Sequence, residues 1–270
     1  MTHELFGVRI DDEPLDELKP LFETWLKGDQ GRVIVTPNAE FLLEARKNPM
    51  FKSLLNKSDL SVADSISLQY AIIALTPNRL EHRHPGVDLL PMVCELAQKQ
   101  KAHVLLFGGE PGSADASAEV LGTQFPELSI SGMDPGMIGW NHDRLTISHH
   151  LIEQIQEEEP AIVAVGLGQV KQEQFIFQLK NDCPSVKIWI GVGGAFEMIS
   201  GRKKRAPRVY SRVGLEWLWR LLIEPGRWRR IARAVLIFPL LVALSTLRQR
   251  TFLKSTFRVF SEILRHFRTV

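Results

Sequence analysis

Apolar residues in this chain fall into two alternating rhythms. Short runs rich in apolar and β-branched residues, at 5–10, 32–36, 59–63, 103–107, 128–131, 161–165 and 186–190, read as strands. Between them apolar positions recur every three or four residues, as in Leu15, Leu18, Leu21, Phe22 and Trp25. They predict helices over 14–27, 39–47, 49–55, 66–75, 87–100, 113–124 and 145–158, with another opening at Lys171. A parallel strand needs a crossover helix to reach its neighbour. The repeated order of strand, turn and helix therefore predicts an α/β fold with a mainly parallel sheet flanked by helices. Run 103–107 is apolar after its first residue, as expected of a strand covered on both faces.

Such sheets bind ligands at the carboxyl ends of their strands. The unusual residues stand there: Thr36 and Asn38, Asp64, Gly108 and Gly109, Gly166 and Gly168, then Gly191, Gly193 and Gly194. Glycine lets backbone N–H groups approach a phosphate at a helix start, and it serves a tight turn equally well without one. Several such turns suggest a nucleotide diphosphate. Neither a GxGxxG with a following ribose-binding acid nor a GxxxxGK[ST] occurs, which sets aside dinucleotide cofactors and Walker-type ATPases. Asp64 is placed either to cap the next helix or to take a proton from an attacking hydroxyl. Thr36 and Asn38 offer hydrogen bonds to sugar hydroxyls or simply form the turn. Lys171 suits a phosphate and Gln172 a sugar or base, the alternative being an exposed first turn. Arg83 suits an anion, and its neighbours His82 and His84 lack a second ligand set, so no metal is expected.

Charge divides the chain. The net value of +2 hides 16 Lys and Arg against 28 Asp and Glu before Arg202, and 17 against 3 from Arg202 onward. With Trp217, Trp219 and Trp228 interleaved, the basic part seeks an anionic surface: a bilayer, a phosphorylated ligand or a nucleic acid. The acidic body argues against nucleic acid. The longest apolar run, 234–247, has 14 residues and arginines on both sides. That is short of the roughly 20 needed to span a bilayer and favours an interfacial or re-entrant segment over a span or an oligomer helix. Cys94 and Cys183 are too few for a disulfide framework, which favours a reducing cytosol. The polar, acidic N-terminus lacks a signal-peptide pattern, so export is not expected.

Taken together, the segments 36–40, 63–65, 86–89, 107–109, 166–173, 191–194, 201–207 and 214–217 resemble, in order and spacing, the WecG/TagA/CpsF family of bacterial glycosyltransferases over residues 5–230. The chain departs from that pattern at Ser65, where the family usually has Gly, and at Val170, where it has Pro. The resemblance implies a Rossmann-like sheet and an inverting transferase that needs neither metal nor cofactor. Its expected reaction moves a hexosamine-type sugar from a UDP-sugar to a polyprenyl-diphosphate-linked acceptor in cell-surface polysaccharide synthesis. Its expected place is the cytoplasmic face of the membrane, peripheral or monotopic, on an anionic surface. Asp64 would be the general base. Thr36, Asn38 and Gln172 would line the sugar site, Arg83 would contact anionic substrate, and Arg212, Arg220 and Arg227 would reach the diphosphate, with Arg220 catalytic. Gly108, Gly168, Lys171 and Gly193 remain the substrate contacts suggested by the strand ends. The expected division is a catalytic domain over 1–201, a basic Arg/Trp appendage over 202–233 that completes the active site, and an amphipathic membrane-associating extension over 234–270. A non-catalytic membrane scaffold for polysaccharide assembly is the alternative, and self-association is left open.

Overall fold

The computed structural model describes residues 1–268 apart from 137, 142–143, 208–209 and 211–213. The chain opens with an antiparallel hairpin, β1 (Thr2–Leu5) and β2 (Val8–Asp11), where the sequence predicts one strand over 5–10. Phe6 and Gly7 both have positive φ, 55° and 78°. This is the two-residue turn whose twist matches the flanking strands, and apolar Phe6 disguises it. Next come α1 (Leu15–Leu26), β3 (Arg32–Val35), α2 (Ala39–Ala45), α3 (Pro49–Lys57), β4 (Leu60–Ser61), α4 (Ile66–Leu75) and α5 (Gly86–Gln100). The alternation continues with β5 (Val104–Gly108), α6 (Ser113–Gln124) and β6 (Ile130–Met133).

A short hairpin follows, β7 (Gly139–Asn141) and β8 (Arg144–Thr146), so the helix predicted from 145 begins later, as α7 (His149–Glu157). Ser148 sets that start by accepting the Leu151 N–H on its side chain. Then come β9 (Ile162–Gly166), α8 (Lys171–Leu179), β10 (Ile188–Gly191) and the short α9 (Ala195–Ile199).

Six of these strands form one parallel sheet in the order β4-β3-β10-β9-β5-β6. Alternate side chains build two cores. Val33, Val35, Phe107, Val165 and Trp189 pack on one face, and Ile34, Leu106, Ala164, Ile188 and Ile190 on the other. Phe107 and Phe175 stack at 4.3 Å on the first face. Both faces are apolar, so these strands read as continuous hydrophobic runs.

The C-terminal part consists of α10 (Glu216–Ile223), a 3-10 turn (Pro225–Arg227), α11 (Trp228–Ala232), a π-helical stretch (Arg233–Ile237), α12 (Phe238–Arg248) and α13 (Phe252–Arg268). The run Pro225–Arg248 reads as a 24-residue helix whose most apolar 18-residue stretch has a mean hydropathy of 1.8. By length and composition alone it is enough to cross a membrane, the 14-residue apolar run 234–247 being extended at its start by the Arg-rich turns 225–233. One side of it nevertheless belongs to the protein core: Phe238, Val242 and Thr246 are buried, and Phe238 meets the Phe6 ring edge-on. Leu236, Leu240, Leu244 and Leu247 are exposed. α13 continues the theme with polar Ser255 and Glu262 buried and Leu253 and Phe257 exposed, at 83% and 74%.

Two glycines near α6 give contrasting expectations. A Cβ on Gly132 would run into the backbone of Ala114 and Asp115, whereas one on Gly122 meets only Ile130 Cγ2 at 3.8 Å. Gly132→Ala is expected to lower stability by about 1–3 kcal/mol or more through overpacking. Gly122→Ala, inside a helix, is expected to raise it by about 0.5–1 kcal/mol. Urea unfolding of the two variants checks both signs.

Candidate active site

A cleft of about 280 Å³ opens at the carboxyl ends of β3, β4 and β10, with the C-terminal helices forming its other wall. Thr36, Asn38, Asp64, Gln172 and Gly193 line it from the sheet, and Glu216, Arg220, Arg227 and Arg230 line it from the appendage. A second, more open depression lies beside β2 and Asp59, away from these strand ends, and is lined by Arg9, Asp11 and Glu13.

The sheet side is fixed by a few bonds at each strand end. The Thr36 hydroxyl donates to the Gly191 carbonyl at 2.9 Å, tying β3 to β10. Asn38 caps α2, its Oδ1 accepting the N–H groups of Glu40 and Phe41 at 3.0 and 3.3 Å. That leaves its Nδ2 to donate to Asp64 Oδ2 at 3.4 Å. Asp64 does not cap α4, whose N-cap is Ser65. Its carboxyl faces the cleft, and burial pushes its pKa above the ordinary carboxylate value. The Arg220 guanidinium opposes that shift, Glu216 adds to it, and Asn38 and Arg83 oppose it more weakly. Arg83 reaches the Asp64 carbonyl, 3.5 Å from its Nη1.

Gln172 and its neighbour form a second fixed group. Gln172 Oε1 accepts the Gly193 N–H at 3.0 Å, and its Nε2 donates to Glu173 Oε1 at 2.7 Å. The other Glu173 oxygen accepts the Val170 N–H at 2.7 Å. Val170 has φ of 71°, a strained conformation for a β-branched residue, and this bond holds it there. Glu173 is fully buried, and burial raises its pKa to about 7.

The appendage brings cations, but paired ones. Arg220 bonds Glu216 at 2.9 Å, Arg227 bonds Glu224 at 3.2 Å, and Lys203 bonds Glu110 at 2.6 Å and Glu224 at 3.2 Å. A bound diphosphate would compete with these carboxylates for the same donors. Gly168 and Gly193, with φ of 79° and 55°, open onto empty space at the cleft. Three expected contacts, Gly108, Lys171 and Arg83, are not among the residues that line the cleft. Gly108 packs against Leu167, and Lys171 sits over the Trp140 ring at 5.4 Å, facing the β7–β8 hairpin. Arg212 falls outside the described residues.

Three carboxylates escape sequence reasoning: Glu173, Glu197 and Glu216. Each stands in a first helical turn, where an acid normally serves the helix dipole in solvent. Glu197 is buried and lines the cleft, with Oε1 on the Glu110 N–H at 2.8 Å. The available signal was position alone, since Glu173 and Glu197 each follow a glycine-bearing strand end. Among the described residues, no group of three His, Cys, Asp or Glu is arranged to hold a metal.

Residues 3–252 match the family model described as Glycosyl transferase WecG/TagA/CpsF family. The chain belongs to this family. It is similar to the N-acetylglucosaminyldiphosphoundecaprenol N-acetyl-beta-D-mannosaminyltransferase of Bacillus spizizenii, 31% identical over 222 residues that cover 82% of this chain and 83% of the relative. The protein of the same name from Bacillus subtilis (strain 168) is 32% identical over 74% of this chain and 75% of its own. That from Staphylococcus aureus (strain MRSA252) is 28% identical over 85% and 87%. This WecG/TagA/CpsF member is therefore a glycosyltransferase, and the scaffold reading is set aside.

Glu173 gives this enzyme a testable pH signature. The folded state holds a proton on a carboxyl raised to about 7, while the unfolded chain loses it near 4.5. Its contribution to stability therefore falls as pH rises through that window, by about 3 kcal/mol at most, and stays low above it. Glu173→Gln is expected to flatten that slope in chemical unfolding between pH 4.5 and 7.5.

Proposed function

We propose that this glycosyltransferase moves a hexosamine-type sugar from a UDP-sugar to a sugar already linked to a polyprenyl diphosphate, with inversion at the anomeric carbon. The observation that carries the reading is the meeting of Asp64 with Arg220 and Arg227 across one cleft. Asp64 takes the proton of the acceptor hydroxyl as its oxygen attacks the anomeric carbon. The bond to UDP breaks on the opposite side, and its electron pair leaves with the diphosphate. Arg220 and Arg227 exchange their carboxylate partners for that diphosphate and stabilise the developing charge. Gln172 and the N–H-bearing turn at Gly193 orient the donor, and Arg83 meets an anionic oxygen of either substrate. The relatives' name points to N-acetylmannosamine as the first sugar to try.

The same reading places the enzyme on the cytoplasmic face of the membrane, peripheral or monotopic, where a polyprenyl-linked acceptor is held. The outward leucines of α12 and the outward Leu253, Phe257 and Phe260 of α13 support it, with Arg248, Arg250 and Lys254 beside them for anionic headgroups.

Asp64→Asn is expected to reduce transfer by about 10²–10⁴-fold, and Arg220→Ala by about 10²-fold or more, both with unchanged circular dichroism. Initial rates of UDP release with UDP-N-acetylhexosamines and a polyprenyl-diphosphate acceptor measure this. A fully active Asp64→Asn removes Asp64 as base. Because its pKa is raised, kcat/KM should fall on the acid side at a higher pH than an ordinary carboxylate would produce.

Flotation with vesicles containing anionic lipid tests the membrane reading separately. The triple change Leu253→Ser, Phe257→Ser and Phe260→Ser is expected to move the protein from the vesicle fraction to the soluble one. Retained flotation would overturn α13 as a membrane surface.

A further inference from the structure

The loop between α4 and α5 carries Arg83 to the Asp64 backbone and runs on into the cleft wall at Pro85 and Gly86, and it is gripped from two directions. On one side stands Asp12, just after β2. Its buried carboxylate accepts the backbone N–H groups of Glu81 and His82 at 2.9 and 2.8 Å and meets His82 Nδ1 at 2.9 Å. Burial works against its ionisation, yet these donors prevail and hold its pKa below the ordinary value. The neighbouring His84 pairs through Nε2 with the Glu13 carbonyl at 2.7 Å, and its N–H donates to the Ala63 carbonyl at 2.8 Å.

The second grip comes from α13, which lies almost wholly beyond the family match ending at residue 252. The Ser255 hydroxyl donates to the Ala74 carbonyl at 2.5 Å, and Arg258 Nη1 to the Thr76 carbonyl at 3.2 Å. Glu262, 2% exposed, pairs with Arg79 at 3.2 Å and holds Arg265 through two bonds of 3.0 and 2.5 Å. Arg265 in turn donates to Glu81 Oε2 at 2.9 Å. One buried carboxylate thus ties together residues 79 and 81, four and two positions before Arg83.

The polarity of this helix is reversed relative to a helix held by apolar burial. Leu253, Phe257, Phe260 and Leu264 face outward, while Ser255, Arg258, Glu262 and Arg265 face the protein with Val259 as an apolar contact among them. Directional bonds of this kind fix geometry more than they add stability, since a buried charge gives back much of its gain in desolvation. Their target is a segment that ends at the cleft.

We propose that Glu262 is a positioning residue of the transfer reaction: through Arg79 and Arg265 it fixes the loop that holds Arg83 beside Asp64. The proposal rests on the reading of Arg83 as a contact to anionic substrate. Misplacement of such a group by about 1 Å is enough to lower turnover by tenfold or more.

The test uses the full-length protein on vesicles, with kcat/KM for UDP-N-acetylmannosamine at saturating acceptor. The variants are Glu262→Gln, Arg265→Ala, Arg83→Ala and the pair Glu262→Gln with Arg83→Ala. Glu262→Gln and Arg265→Ala should each lose about tenfold, and Glu262→Gln should cost nothing more once Arg83 is alanine, because both act through one group. Equal losses in both backgrounds would overturn the proposal, as would a wild-type rate in Glu262→Gln. If Glu262→Gln does not fold, the cycle is run with Arg265→Ala, whose side chain is 38% exposed. Arg83→Ala at wild-type rate would remove the reading of Arg83 itself, and the proposal with it.

Discussion

A parallel sheet with both faces buried leaves polar chemistry one place to go, the edge where the strands end and the helices begin. In this protein that constraint decides nearly everything else. Asp64, Asn38, Gln172 and Gly193 reach one cleft because β4, β3 and β10 are neighbours and their carboxyl ends point the same way. The bonds that fix them are local and cross from one strand end to the next, as from Thr36 to Gly191 and from Gln172 to Gly193. The cleft therefore inherits the rigidity of the sheet.

Much of this was legible in the residues. Helices 66–75 and 113–124 have the predicted bounds, because a strand-end turn stands before each and apolar spacing runs to the end. The α/β class and the parallel sheet follow from the same alternation. Both hairpins were missed for a physical reason: each strand is only three or four residues long, too short to carry a period of two. Of the residues singled out from the sequence, Asp64, Asn38, Gln172, Gly193, Arg220 and Arg227 line one cleft. Lys171 and Gly108 do not, since a strand-end position fixes where a residue starts and not where its side chain or neighbour goes, and the Arg83 guanidinium turns to the Asp64 backbone carbonyl instead. Glu173 was hidden because a buried acid and a solvated one look alike in a first helical turn.

The charge division also gains a structural meaning. Arg205 pairs bidentately with Asp88, Arg230 with Glu40 and Arg233 with Glu44, each joining the basic appendage to the acidic body. Exposed pairs such as these are each worth about 0–1 kcal/mol and weaken with salt. Together they orient the appendage over the cleft without locking it.

β10 is the last of the six strands to be synthesised, yet it sits between β3 and β9. Until residue 191 has been made, β3 and β4 share no edge with β9, β5 and β6. Asp64 and Asn38 belong to one half-sheet, Gly166 and Gly168 to the other. Insertion of β10 completes both ladders at once, setting Trp189 between Val33 and Val163. Pairings of such long sequence separation form slowly, and the half-sheets meanwhile present open edges that invite wrong partners. The complete cleft thus needs β10 in place: the two sides of its sheet wall belong to half-sheets that only this last strand joins.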